Sequence, residues 1–320
     1  MRIVWVSFAP LRKTHGGLTS DVASVRYRIT LPAQAMRGSK VTYLGPGANR
    51  STLLERFDGA EAAVFGKLFD PSMAQSALEL VAELRRRGVK VIADYSDDHF
   101  LHPVLGPVYR AMAAAADAVV ASTPGLAEVL RAHTPVPVSV VTDPVEGSRG
   151  EPRSSIARPP RLLWFGHPLN LDTLPFGLHQ LAERRINFAL TVLTAPGSGA
   201  EELGHCFRAW STAALFEELR ECDAVIIPSN PDDPRKAVKS PNRFNEALWA
   251  GRFVIAHPLP AYEALGAYGW VDADLGDGLA WLLEHFEEAA ERIRAGQESL
   301  AREFSPEAVG RAWESVIAAA

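Results

Sequence analysis

The stretch Ala224-Val-Ile-Ile-Pro-Ser-Asn230, followed by Lys239-Ser-Pro-Asn-Arg-Phe-Asn-Glu-Ala-Leu-Trp-Ala-Gly251-Arg-Phe-Val-Ile-Ala256, reads as strand, polar loop, helix and strand. The four apolar residues Ala224–Ile227 stop at Pro228, and a second apolar run covers Phe253–Ala256. Short apolar runs separated by a helical segment predict parallel strands joined by a crossover helix. The same alternation extends in both directions. Upstream, strands are predicted at Ile3–Phe8, Val41–Leu44, Ala62–Phe65, Val89–Ala93, Ala118–Ala121 and Val138–Val141. Between them lie amphipathic stretches such as Pro71–Arg87, where Met73, Ala77, Leu80 and Leu84 recur at helical spacing. The pattern stops at the Gly-, Ser-, Pro- and Arg-rich segment Glu146–Pro160 and restarts with strands at Arg161–Phe165 and Phe188–Thr194. Helices are expected at Leu174–Arg184, Ala213–Arg220, Asn242–Ala250, Gly278–Arg294 and Pro306–Ala318. The expected architecture is therefore α/β, with two doubly wound Rossmann-like domains, residues 1–150 and 151–320, facing an interdomain cleft. The last helix is free to pack back on the first domain.

Composition narrows the function. The chain has 320 residues, a formal net charge of −5 and two cysteines. That charge argues against an extended nucleic-acid surface. Two cysteines supply neither a disulfide framework nor a Cys-based zinc site, which suits a reducing cytoplasm. No run reaches the roughly 18–20 apolar residues of a membrane span, so any membrane contact is expected to be peripheral, at the inner face. There is no P-loop, no G-x-G-x-x-G after the first strand, no H-E-x-x-H and no G-x-S-x-G. A protein of this architecture without those motifs must hold phosphates by another device.

The segment after Asn230 supplies one. Ligands collect beyond the C-terminal ends of parallel strands, and a helix N-terminus there offers backbone N–H groups and a positive dipole end to an anion. Lys239 and Arg243 flank the start of the helix at Asn242, and Glu246, one turn on, is placed to accept from a ribose diol. The competing reading is a solvated basic loop before a core helix, with Glu246 in a surface salt bridge.

This segment resembles the donor-binding region of GT-B-fold glycosyltransferases, and is most similar to the retaining group with a Glu-Ala-Leu-x-x-Gly signature. The resemblance implies that Glu246 binds the nucleotide ribose. Gly16-Gly17, Arg26-Tyr-Arg28, Asp94-Tyr-Ser-Asp-Asp98 and Trp164-Phe-Gly166 resemble the same family. The chain departs from it twice. Position 238 is Val where the family usually has a second glutamate, and the loop His167-Pro-Leu-Asn-Leu-Asp-Thr173 lacks the family's Arg/Lys pair for the diphosphate. Lys239 and Arg243 are expected to replace that pair.

Other candidates are weighed residue by residue. Gly16, Gly17 and Gly166 permit close approach to donor phosphates, though the first two also suit a mobile loop. Arg26, Arg28 and Asp94 are assigned to the acceptor side, with a structural salt bridge as the alternative for either arginine. Asp98, His102 and His167 are the candidate catalytic groups, carboxylate and imidazole at strand ends being suited to proton transfer or to stabilising a departing phosphate. A helix cap competes for the aspartates, and His257 is a weaker alternative to His167. The tryptophans are expected in cores.

The implied reaction is transfer of a sugar from a nucleoside-diphosphate sugar to a glycan, lipid-linked or small-molecule acceptor, with retention and without cofactor or metal. A nucleotide-sugar 2-epimerase of the same fold and a catalytically lapsed nucleotide- or glycan-binding module are the alternatives.

Overall fold

The computed structural model describes residues 1–320, except for the side chains of Arg50 and Ser51. The chain forms two compact units. Unit 1 takes Met1–Pro144, Val238–Ser240 and Phe304–Ala320; unit 2 takes Val145–Ala237 and Pro241–Glu303.

The strands of unit 1 are β1 (Ile3–Ser7), β2 (Arg12–Thr14), β3 (Gly17–Thr19), β4 (Ser39–Tyr43), β5 (Ala62–Phe65), β6 (Lys90–Tyr95), β7 (Ala118–Ala121) and β8 (Val138–Val140). Six of them form a sheet in the order β4-β1-β5-β6-β7-β8, with every neighbouring pair parallel. Successive side chains point to opposite faces. Val4, Val6, Ala63 and Phe65 therefore enter one core, and Ile3, Trp5, Ala62 and Val64 the other. Burial on both faces explains why these strands read as unbroken apolar runs.

The helix Ala74–Arg86 covers the first face with Ala77, Leu80, Val81 and Leu84. The helix Pro306–Ala319 covers the second with Val309, Trp313 and Ile317, and the Trp313 ring meets Trp5 edge-on at 5.0 Å.

Two features of unit 1 differ from the sequence reading. Residues 12–19 form an antiparallel hairpin of β2 and β3, with Gly16 at its tip and Gly17 at φ +117°. The segment Arg26–Thr30 is a π-helical turn, a winding that the sequence reading did not anticipate. Its wider winding places all five residues in the interior, both arginines included.

In unit 2 the strands are β9 (Arg161–Phe165), β10 (Ala189–Thr194), β11 (Cys206–Ala209), β12 (Ala224–Ile227), β13 (Phe253–Ala256) and β14 (Trp270–Val271). Their order is β11-β10-β9-β12-β13-β14, again wholly parallel. The edge strands β11 and β14 are short and only partly buried, which is why no apolar run announces them. The helical region after residue 274 is two helices, Leu275–Glu284 and Phe286–Glu303.

Glu146–Pro160, read from sequence as a linker, is fastened to unit 2. The buried Asp223 carboxylate accepts from Ala157 N, Arg161 N and Arg153 Nε at 2.8–3.3 Å. Arg153 also donates to the last carbonyls of the helix Thr212–Glu221, a favourable place for a cation. Among the described residues no helix is long and apolar enough to cross a membrane.

Candidate functional site

In unit 2 the strand order reverses between β9 and β12, and their C-terminal ends open the crevice in which doubly wound sheets take ligands. β9 ends at Gly166, and a Cβ built there would lie 3.5 Å from Arg243 Nη1. The guanidinium and the Trp164 ring thus line the backbone at Gly166 at ordinary contact distance. Arg243 Nη1 is buried and, among the described residues, has no hydrogen-bond partner. An unsatisfied buried donor costs about 1–3 kcal/mol, and its retention beside a glycine suits an anion that completes it.

Arg243 stands in the first turn of the helix Asn242–Trp249. Pro241 holds the cap position and makes no side-chain cap hydrogen bond of its own. A helix N-terminus at this place in a doubly wound sheet favours an anion.

A further cation reaches the crevice. Lys236 Nζ bonds Asn170 Oδ1 in the loop after β9. Thr173 Oγ1 donates to Pro228 O at 3.0 Å, tying that loop to the end of β12. The loop His167–Thr173 carries no cation in sequence, yet it receives one from the segment that follows β12. Arg235 is spent differently, forming a fork with Asp233 on the surface. Glu246 is buried, 6% exposed, on the inward side of its helix.

The two histidines of unit 2 have different settings. His167 is exposed and caps the turn Pro168–Thr173, its Nδ1 accepting from Leu169 N at 3.2 Å. The neutral ring therefore carries its proton on Nε2, as a donor. His257 is buried. Its Nε2 meets Gln180 Oε1 at 2.9 Å, and its Nδ1 lies against the Ser229 backbone, 3.0 Å from N and 2.9 Å from O. Gln180 Nε2 donates to Ala273 O, which turns the amide oxygen toward the imidazole. Burial holds the His257 pKa below the ordinary value. This neutral ring pins the loop after β12.

Unit 1 separates the remaining candidates. Arg28 is 2% exposed, and its guanidinium donates to Asp94 at 2.5–3.2 Å, to Asp143 Oδ1 at 2.9 Å and to Val141 O. Burial opposes its charge, but the two carboxylates outweigh that and raise its pKa. Arg28 and Asp94 thus form a structural ion cluster, with Asp143 as a member the sequence did not single out. Arg26, equally buried, donates to Ser20 O and Asp21 O at 3.2–3.3 Å. Asp98 Oδ1 accepts from Phe100 N at 3.1 Å, and His102 Nδ1 accepts from Val104 N and Leu105 N, capping the helix Leu105–Ala115. Asp98 and His102, the candidate catalytic groups of this loop, both accept from local backbone N–H groups.

Lys239 lies in unit 1 with the Asp97 carboxylate, which also binds Lys67 Nζ. Burial raises the Asp97 pKa, but Lys239 and Lys67 hold it below the usual carboxylate range. Neighbouring Ser240 Oγ donates to Asp143 Oδ2 at 2.7 Å, and Thr123 Oγ1 donates to Val238 O at 2.8 Å. The structure therefore assigns Lys239 and Arg243 to different units. Lys67 and Lys236 are the cations that sequence reasoning did not select. Among the described residues, no group of three His, Cys, Asp or Glu is placed to hold a metal ion.

Two wholly parallel doubly wound sheets in a single chain make this a GT-B fold. Among solved structures, the chain is similar to Anabaena Alr3699/HepE in complex with UDP-glucose, with a TM-score of 0.71, 11% identity and full coverage of both chains. An α-glucosyltransferase in complex with UDP-glucose and DNA containing an abasic site superposes with a TM-score of 0.70, at 10% identity and 99% coverage of each chain. The lipopolysaccharide outer core galactosyltransferase WaaB, in its apo form, gives 0.59 at 13% identity, over 100% of this chain and 99% of that one. No protein-family model matches the sequence, and no curated protein matches it significantly.

Proposed function

We propose that the protein transfers a sugar from a nucleoside-diphosphate sugar to a hydroxyl acceptor, with unit 2 binding the donor. The observation that carries this reading is the buried Arg243 Nη1, unpartnered among the described residues, at the β9/β12 crevice beside Gly166 and a helix start. Arg243 and Lys236 would take the diphosphate, and Glu246 the ribose. His167, donating through Nε2, would add a hydrogen bond to the departing phosphate. Charge-assisted bonds from a guanidinium and an ammonium stabilise the diphosphate most as the sugar–oxygen bond breaks and negative charge develops there. That differential is what lowers the barrier. Solved structures of the same fold holding UDP-glucose support the choice of ligand class. Retention at the anomeric carbon and independence from metal rest on the resemblance of the Glu246 segment.

A thermal-shift panel of nucleosides, nucleoside diphosphates and their sugars tests the proposal. Binding to the native state alone stabilises it by about 2.7 kcal/mol at a hundredfold excess over Kd. The expected result is a shift with one nucleoside diphosphate and its sugar, and none with the nucleoside. Release of nucleoside diphosphate in the presence of acceptor mixtures would then show transfer, and the product's anomeric configuration would decide retention. A panel with no response to any nucleotide overturns the proposal. Conversion of the donor without an acceptor would reassign the chain to the epimerases.

A further inference from the structure

The C-terminal edge of unit 1's sheet holds a charged group that the donor reading leaves unused. β5, β6 and β7 are adjacent. Lys67 follows β5 and Asp97 follows β6, each by two residues. Lys239 joins them, so that two ammonium groups share one carboxylate. Like charges brought together on neighbouring side chains repel, and the carboxylate between them offsets that cost. The trio still carries one net positive charge. Asp98, the next carboxylate along the chain, is turned to the backbone N–H of Phe100.

An ammonium has three donors, so one shared carboxylate leaves donors on both lysines. Lys67 is largely buried, whereas the Lys239 side chain is 46% exposed and open to a ligand. At the ends of the same strands, the buried Ser96 and Ser122 hydroxyls have no hydrogen-bond partner among the described residues. His99 adds no charge here: burial first, and then Lys67, keep its pKa below the ordinary value.

We infer that Lys67 and Lys239, held together by Asp97, form a second anion subsite that takes a phosphate or carboxylate group. This goes beyond the donor reading, which needs only residues of unit 2. The group's source is a substrate anion distinct from the donor. Asp97 is a positioning residue, acting through the two ammonium groups.

Titration of inorganic phosphate into the whole protein at low ionic strength, followed by calorimetry with and without saturating UDP, tests the inference. Loss of one charge-assisted contact is expected to weaken binding about tenfold. If the subsite serves an acidic acceptor, phosphate binds the UDP-saturated protein and Lys67→Met weakens that binding about tenfold, leaving UDP affinity unchanged. Displacement of phosphate by UDP, with Lys67→Met weakening UDP about tenfold, would overturn the inference. Lys239→Met, at a more exposed position, repeats either pattern should Lys67→Met fail to fold. Folded variants with unchanged phosphate and UDP affinities overturn the inference. A wild type that binds phosphate through Lys67 but no nucleotide would overturn the donor reading and leave this subsite standing.

Discussion

Replacing Arg243 by Met separates a binding role from a structural one. The change keeps the length of the aliphatic stem and removes the buried Nη1, which has no partner among the described residues. Removing an unsatisfied donor relieves a desolvation penalty of about 1–3 kcal/mol. The unliganded variant is therefore expected to unfold at the same temperature as the wild type or higher. The ligand side has the opposite sign. A hydrogen bond to a charged group contributes about 1.5–3 kcal/mol, which corresponds to roughly 10- to 150-fold in Kd. Calorimetry with UDP should show that loss, while uridine, lacking phosphates, binds both forms equally. The diagnostic is the combination of unimpaired stability and weakened diphosphate binding. A variant that unfolds several degrees lower with unchanged UDP affinity would refute the reasoning, since Arg243 would then support the fold.

Two further outcomes follow from the packing. His257 is buried with a pKa below its ordinary value of about 6.5, so the unfolded chain binds more protons as the pH falls through that value. Its contribution to stability is present above pH 6.5 and is lost toward the lowered folded pKa. The melting temperature of the wild type should fall more steeply on acidification below 6.5 than that of His257→Gln, and parallel curves would contradict this. Trp313→Ala, at a fully buried position against Trp5, should cost about 3–5 kcal/mol in urea denaturation, and a loss below about 1 kcal/mol would show that the last helix does not complete this core.

The sheets were legible because their strands are buried on both faces. Ala62–Phe65, Ala118–Ala121, Ala224–Ile227 and Phe253–Ala256 are uninterrupted apolar runs, and the structure places strands at those residues. β11 and β14 escaped because edge strands mix exposed and half-buried positions. The π-turn at Arg26–Thr30 was illegible, as nothing in Arg-Tyr-Arg-Ile-Thr announces a wider winding.

Within the candidate site, Arg243 and Gly166 were readable from their places at a helix start and a strand end. The partners of each cation were not. Three cations, Arg235, Lys236 and Lys239, lie close together in sequence. One is neutralised by Asp233, one reaches Asn170, and one is held by Asp97. Local spacing carries no information about Asn170 or Asp97, which lie far away along the chain. Asp94, Asp98 and His102 looked chemical from their residue types, but an ion cluster and two backbone turns claim them.

The composition of unit 1 bears on how the chain is made. Its sheet consists entirely of early residues, yet one face is covered by the helix Pro306–Ala319, and the tripeptide Val238–Ser240 also belongs to it. During synthesis at about 5–20 residues per second, the strands wait on the order of ten seconds for that cover. Unit 1 begins to emerge before unit 2 but is completed after it, with Trp5 and Ile29 uncovered in the interval. A fragment ending near residue 150 would be fixed in that state, so an expressible form of unit 1 must carry the C-terminal helix with it.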